Sequence, residues 1–301
     1  MQFLSALPGT VAQGLIWGIM AIGVYITYKI LDIADLTVDG TIGTGAAVCA
    51  MLVIGGCPVW LAMILATLSG IVAGMVTGFF HITLGIPAIL SGILTQLILW
   101  SVNLKIMGGK ANVAVSARNY PVLISQLNLT SAIIILAVCA LLLVALLYLF
   151  FGTELGSSIR ATGINAAMSR AQGIHTDMTK MIGLALSNGI VAFAGALLCQ
   201  YQGFSDINMG RGAVVIGLAA VVIGEALISH LPQNFAVRLL GVLLGAIVYY
   251  IVYQIVILLG MDTDLLKMLS AIIVAVFLGF PYLKGKIAEH RRYKKEDETR
   301  A

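Results

Sequence analysis

Charge is what this sequence has least of. Only 10% of its 301 residues are Asp, Glu, Lys or Arg, while 60% are hydrophobic; a soluble globular domain carries roughly 25% charged residues. Met1–Tyr28, Gly40–Leu104 (broken only by His81), Asn119–Thr153 and Leu239–Met261 hold no acidic or basic side chain. One bilayer crossing takes about 20 apolar residues, so the longer runs must fold back and cross again. A water-soluble domain and a chain with a single anchor are both excluded.

Other absences narrow the chemistry. Cys49, Cys57, Cys139 and Cys199 lie in or beside apolar runs, at spacings that match neither a metal motif nor a secreted disulfide framework, and read as small packing residues. No H-E-x-x-H occurs, and His81, His175, His230 and His290 are scattered near expected loops, against an intramembrane enzyme. Gly108-Gly109-Lys110 is followed by Ala111 and lacks the upstream glycine of a phosphate-binding loop. The chain is therefore expected to bind no metal or cofactor and to hydrolyse no ATP itself. The start, Met1-Gln2-Phe3-Leu4, has no positive region and no small-residue cleavage site follows, so the first apolar run is expected to remain as a mature helix.

What is present is an all-α, polytopic membrane protein. Apolar runs bounded by turn and charge signals give about nine crossings: 8–30, 40–56, 59–80, 85–103, 131–151, 181–201, 212–229, 236–259 and 265–282. Residues 1–283 form the membrane domain, with a polar loop at 152–180, and 284–301 a basic tail. Seven of the 17 Lys and Arg fall between Lys284 and Arg300, which places the tail in the cytoplasm rather than on nucleic acid. Counting back puts Met261–Asp264 outside, Arg238 and 152–180 inside, and the N-terminus outside a bacterial inner membrane. Residues 104–130 carry Lys105, Lys110 and Arg118 without an acid, yet parity puts them outside; one long loop can be translocated despite its charge.

Gly70-x3-Gly74-x3-Gly78 and Gly241-x3-Gly245 each align glycines on one helical face, where backbones can approach closely. A second pattern is an internal echo. Asp35-Leu36-Thr37-Val38 returns as Asp206-Ile207-Asn208-Met209, each ahead of a glycine-rich helix start at Gly40 and Gly210. With an odd number of crossings between them the copies face opposite sides, the arrangement of inverted-topology repeats whose broken helices meet near the midplane. Common interfacial chemistry is the other reading.

The segment Glu154 to Lys180 is polar and lies between two apolar helices. Asn165 suits the N-cap of a short helix 166–172, and Gly173 the left-handed residue that closes it. Gly156, Ile159-Arg160-Ala161 and Gly173-Ile174 resemble the cytoplasmic loop of permeases in the branched-chain amino-acid, ribose and related ATP-binding-cassette importers. The resemblance continues through Ala185-Leu186-Ser187 and Ala192–Leu198, and covers the chain from about Tyr28 to Pro281. It implies that Glu154, Arg160, Asn165, Arg170 and Gly173 form a coupling element docking on an ATPase subunit that holds ATP and Mg. It implies also an extracytoplasmic binding lipoprotein and a second permease copy. Asp35-Leu36-Thr37-Val38-Asp39-Gly40 departs from the branched-chain pattern and resembles a subgroup identified as tryptophan or tyrosine import permeases.

Ionisable groups at membrane depth are costly and default to functional candidates; here they are Asp35, Asp39, Asp206, Arg211 and Glu225. Asp35 and Asp206, beside Gly40 and Gly210, read either as caps at the helix breaks or as substrate contacts. Glu225 reads as a helix-end partner of Arg238. Thr37, Asp39, Gln96, Ser187, Asn188 and Asn208 are the candidate pathway liners, while Tyr249, Tyr250 and Tyr253 fit a membrane interface or a packed face. An ion-coupled secondary transporter, which also uses broken helices, is the alternative to an importer permease.

Overall fold

The structure, a computed structural model, describes residues 2–229 and 234–258 and, beyond them, residues 268, 271, 272, 275, 276 and 279. Met261–Asp264, most of the expected crossing 265–282, His230, His290 and the tail 284–301 lie outside the described residues. The elements run α1 (Gln2–Tyr25, continued by a π-helical turn to Ile30), α2 (Val38–Ile54), α3 (Val59–Gly78, continued by a π turn to Thr83) and α4 (Ala88–Ile106). There follow β1 (Asn112–Ala114), α5 (Leu129–Gly152), α6 (Glu154–Ile164), α7 (Ala166–Ala171), α8 (Thr176–Gln202), β2 (Phe204–Asp206), α9 (Ala213–Ile228) and α10 (Phe235–Leu258).

Eight apolar helices thus stand where the first eight crossings are expected, and the ninth falls outside the described residues. Six are long and apolar enough to span a membrane. The other two, α2 with 17 residues and α9 with 16, extend about 24–26 Å at 1.5 Å per residue, short of a hydrocarbon core of about 30 Å. Each is short because an irregular stretch, 31–37 or 207–212, precedes it. The segment 152–180 is mostly helical, since α8 begins at Thr176, ahead of the expected crossing at 181.

The α1 and α3 ends use one device. Leu31 N–H bonds Ile26 O and Ile33 N–H bonds Thr27 O, as Leu84 bonds Phe79 and Ile86 bonds Phe80. The chain then leaves through a left-handed residue, Asp32 (φ 55°) or Gly85 (φ 69°), which Asp and Gly tolerate best.

The bundle is organised around α1 and α8, whose apolar windows are each 83% buried, against 22% for α5. They run antiparallel: Gly9 O accepts from Tyr201 Oη near one end, and Gly23 lies against Ser187 and Val191 toward the other. Around them two three-helix sets repeat. α2 runs parallel to α8, pairing Thr41 with Asn188 and Cys49 with Gln200; α9 runs parallel to α1, pairing Gly217 with Val24 and Glu225 with Lys29. α3 lies antiparallel on α8 through Gly70, Gly74 and Gly78, and α10 lies antiparallel on α1 opposite Gly14 and Gly18. Exchanging α1–α2–α3 with α8–α9–α10 therefore reproduces the packing with the direction reversed, the geometry of the echo at Asp35 and Asp206.

Both glycine stripes are packing seams. A Cβ at Gly74 would strike the Leu184 carbonyl, and one at Gly245 the Ala220 carbonyl; small residues are what allow these helix backbones to meet.

The segment after α4 is fastened to the C-terminal end of α8. β1 pairs antiparallel with β2, Asn112 opposite Asp206 and Ala114 opposite Phe204, and Leu123 N–H donates to Gln200 Oε1 at 2.9 Å. The basic segment 104–130 and residues 204–206 thus share one end of the bundle, as the crossing count requires.

Candidate functional site

At the first break the chain carries polar side chains into the interior. Asp35 accepts the Thr37 N–H on Oδ1 at 2.9 Å, closing an Asx turn ahead of α2, and accepts Asn188 Nδ2 on Oδ2 at 2.7 Å. Asn188 is fully buried in α8 and takes the Thr41 hydroxyl on its Oδ1 at 2.7 Å. The Thr37 and Thr77 hydroxyls share a hydrogen bond of 2.7 Å, and Thr77 donates to Thr95 at 3.0 Å. One connected chain of six buried side chains thus joins the break to α2, α3, α4 and α8. In a low-dielectric interior each member is costly if orphaned and stabilising when paired, so the chain holds these helices in one register.

The second break repeats the turn with a different outcome. Asn208 N–H donates to Asp206 Oδ1 at 2.8 Å, but the other Asp206 oxygen takes Asn112 Nδ2 at 3.2 Å, tying the break to the β1–β2 ribbon. Asn208 itself is exposed.

Asp39 links the two breaks. Its carboxylate accepts Gly212 N–H on Oδ2 at 3.0 Å and Val214 N–H on Oδ1 at 2.9 Å. Residue 39, in the first turn of α2, therefore satisfies the N-terminus of α9, where unpaired N–H groups and the helix dipole favour an anion. Gly210 allows the approach: a Cβ there would collide with the Asp39 carbonyl. Replacing Asp39 with alanine is expected to cost about 1–2 kcal/mol, read as a lower thermal midpoint in detergent, with asparagine intermediate because it keeps an acceptor. A wild-type midpoint for the alanine variant would dismiss the cap.

Thr37 and Asn188 therefore share one cluster, and Asp39 sits at the opposed break. Gln96 is half-buried, its Cα 3.2 Å from where a Gly40 Cβ would stand, so Gly40 brings α2 onto α4. Ser187 bonds the Gly23 carbonyl at 2.8 Å and serves the α1–α8 seam. Thr41, Thr77 and Thr95 are members that sequence reasoning passed over, as it did Asn103 at the α2–α4 contact. Asn103 is buried, with Nδ2 3.4 Å from the Gly40 carbonyl and Oδ1 unpartnered among the described residues. The available signal was Thr77 riding the Gly70–Gly74–Gly78 stripe, and Thr41 one turn after Thr37.

Glu225 is a correction: its partner is Lys29, at 3.0 Å, because parallel α1 and α9 bring those positions level. Arg238, its partner in the sequence reading, lines one cavity with Tyr25 and Lys29.

The polar segment between α5 and α8 is braced on three sides. Thr153 caps α6 by accepting Gly156 N–H at 3.3 Å, beside exposed Glu154. Asn165 caps α7 by accepting Met168 N–H at 3.0 Å, and Gly173 (φ 84°) ends it. Arg160 Nη2 donates to the Phe151 carbonyl at 2.8 Å and its guanidinium lies 5.9 Å from the centre of the Phe235 ring. Arg170 Nε donates to Thr176 Oγ1 at 2.8 Å, and Thr162 shares a bond of 2.9 Å with Thr179. Gly163 packs directly on the Ile30 carbonyl, so α6 presses on the π-helical end of α1 while α7 leads into α8. A push on α6–α7 would reach both central helices, and Asn188 lies about 18 Å along α8 from its start.

Residues 7–278 match the family model described as branched-chain amino acid transport system, permease component. Over 275 residues, 91% of this chain and 91% of the relative, the sequence is 36% identical to a tyrosine transport system permease protein of Clostridioides difficile. It is 33% identical over 268 residues to an uncharacterized protein of Rickettsia prowazekii, covering 88% of this chain and 94% of that one. An autoinducer 2 import system permease protein of Salmonella typhimurium is 30% identical over 218 residues, 70% of this chain and 59% of the relative. No solved structure matches.

Proposed function

The chain belongs to the family of branched-chain amino acid transport system permease components, and from that premise we propose that it is the membrane half of an importer for an aromatic amino acid. Two ATPase subunits, holding ATP and Mg, drive it from the cytoplasm, and an extracytoplasmic lipoprotein delivers the solute. A second copy of the chain completes the pathway. The N-terminus lies outside the inner membrane and the C-terminus inside, so α6–α7 face the ATPases and the β1–β2 ribbon faces the lipoprotein.

The observation that carries this reading is the mechanical continuity from α6–α7 into α1 and α8. ATPase closure would push α6 against Ile30 and turn α8 at its base. The Asp35–Asn188 chain would carry the movement to α2, α3 and α4, and Asp39 would carry it to α9. The side chains of this protein bind and move; they make no covalent step. The aromatic side chain of the cargo is supported by Asp35–Gly40 and by the tyrosine permease relative.

The test is uptake of radiolabelled L-tyrosine into vesicles holding this chain with its ATPase. Uptake is expected to need ATP and the lipoprotein and to survive collapse of ion gradients. Uptake by the chain alone, driven by an ion gradient, would replace this reading with a secondary transporter.

A further inference from the structure

A cavity of about 410 Å³ opens between α1, α9, α10 and Ala271, with Gln13, Trp17, Arg211, Tyr249, Tyr250 and Tyr253 on its wall. It lies beside the second break, because Gly212, which donates to Asp39, also lines it. Gln13 and Trp17 come from the middle of α1, and the tyrosines from the antiparallel α10 packed against it. Ligand pockets commonly measure roughly 300–1,000 Å³, so this one suits a single small solute.

Two features of the wall are unusual together. The first is charge: exposed Arg211 brings a guanidinium to the wall, and among the described residues its side chain makes no ion pair or hydrogen bond. The neighbouring anion, Asp39, is engaged by the Gly212 and Val214 N–H groups. A guanidinium on this wall with no partner of its own can take an anion that arrives. The second is aromatic density: Trp17 and Tyr250 centroids lie 6.0 Å apart, Tyr250 and Tyr253 5.9 Å, and Tyr249 stacks on Tyr253 at 6.5 Å. Trp17 is buried, with an indole N–H that has no partner among the described residues. Such rings favour a further ring in stacked or edge-on contact.

We propose that this cavity is the aromatic amino-acid subsite of the permease, with the solute carboxylate on Arg211 and its ring among Trp17, Tyr250 and Tyr253. The Gln13 amide oxygen takes the ammonium. The tyrosines belong to a binding wall and not to a membrane interface. The proposal rests on the amino-acid importer reading above and deepens it by assigning the residues that select the side chain.

The experiment uses the permease–ATPase complex in lipid nanodiscs, with radiolabelled L-tyrosine as probe and no ATP. L-Phenylalanine is expected to compete well; tyramine, without a carboxylate, competes at least about tenfold more weakly, as loss of one charged hydrogen-bonded contact implies, and L-leucine, which keeps the carboxylate but has no ring, competes more weakly through loss of the ring contacts. Arg211→Gln should weaken tyrosine binding about tenfold and Arg211→Lys less; Tyr253→Leu should weaken tyrosine binding and narrow the gap between tyrosine and leucine. Equal competition by tyramine, or unchanged tyrosine affinity in a folded Arg211→Gln complex, overturns the subsite. ATP-driven tyrosine uptake with an unchanged KM in both Arg211→Gln and Tyr253→Leu also removes the subsite and leaves the importer standing. Failure of the wild-type complex to take up any amino acid with ATP removes the importer reading itself.

Discussion

Replacing Asn188 with leucine should destabilise the protein by about 3–5 kcal/mol, seen as a fall in thermal midpoint on the order of 10 °C, and should abolish uptake. Asn188 is fully buried, donates to Asp35 and accepts from Thr41. Leucine has comparable bulk, so packing is nearly conserved and the loss is polar. It strands one oxygen of a buried carboxyl group and one buried hydroxyl, each costing about 1–3 kcal/mol and more where charge is involved. Thr41 retains the Thr37 carbonyl at 3.0 Å as a second acceptor, so most of the cost should come from Asp35.

That attribution has its own check. The double variant Asp35→Leu with Asn188→Leu removes both partners, and its destabilisation should fall well short of the sum of the two single ones, since apolar replacement of a whole polar pair is cheaper than orphaning half of it. Additive losses would show that Asp35 and Asn188 do not act as a pair. Thr77→Val, which keeps the shape and cuts the links to Thr37 and Thr95, should cost less, about 1–2 kcal/mol.

The first eight crossings were legible because they depend on one strong signal, the charge-free runs, and their ends moved by a few residues, most at the starts of α1 and α8, where Gln2 and Thr176 join the helix. The capped segment was legible for the same local reason: Asn165 and Gly173 carry conformational preferences that hold almost anywhere. The echo of Asp35 in Asp206 could be read with its inverted sense from the crossing count, but not which helices it relates. Those emerge only when α1–α2–α3 and α8–α9–α10 are seen to pack alike in opposite directions. The two Asx turns then prove equivalent, and their second oxygens diverge, one to Asn188 in the interior and one to Asn112 on the ribbon.

Less visible was anything that depends on which face of a helix is buried. In apolar helices the usual amphipathic period is weak, because lipid-facing and core-facing positions are both hydrophobic. Thr77 and Thr95 therefore looked like any threonine in a membrane helix, and Arg211 like a helix-end charge. Lys29 took Glu225 from Arg238 because helix adjacency, not sequence proximity, sets the pair. The tyrosines of α10 had two readings for the same reason, and only the position of α1 chooses between them.

The segment proposed to couple carries the second large effect: Ile164→Glu should reduce co-purification of the ATPase, and ATP-driven uptake with it, by about tenfold or more. Arg160 and Arg170 are exposed, yet each is tethered within the chain, to the Phe151 carbonyl and to Thr176. Beside these charges α6 and α7 present two large apolar side chains outward: Ile164 is 86% exposed and Met168 is 59% exposed, on either side of the Asn165 cap. Burying an isoleucine in a partner's groove contributes about 1.5–3 kcal/mol, or roughly 10- to 150-fold in affinity. Because Ile164 supports little within this chain, the glutamate should leave the permease's own thermal midpoint within about 0.5 kcal/mol of wild type. Arg160→Glu should behave differently, lowering that midpoint through loss of the Phe151 and Phe235 contacts before docking is tested at all. Full ATPase recovery with Ile164→Glu would mean that the apolar tip between α6 and α7 is not where the ATPase seats.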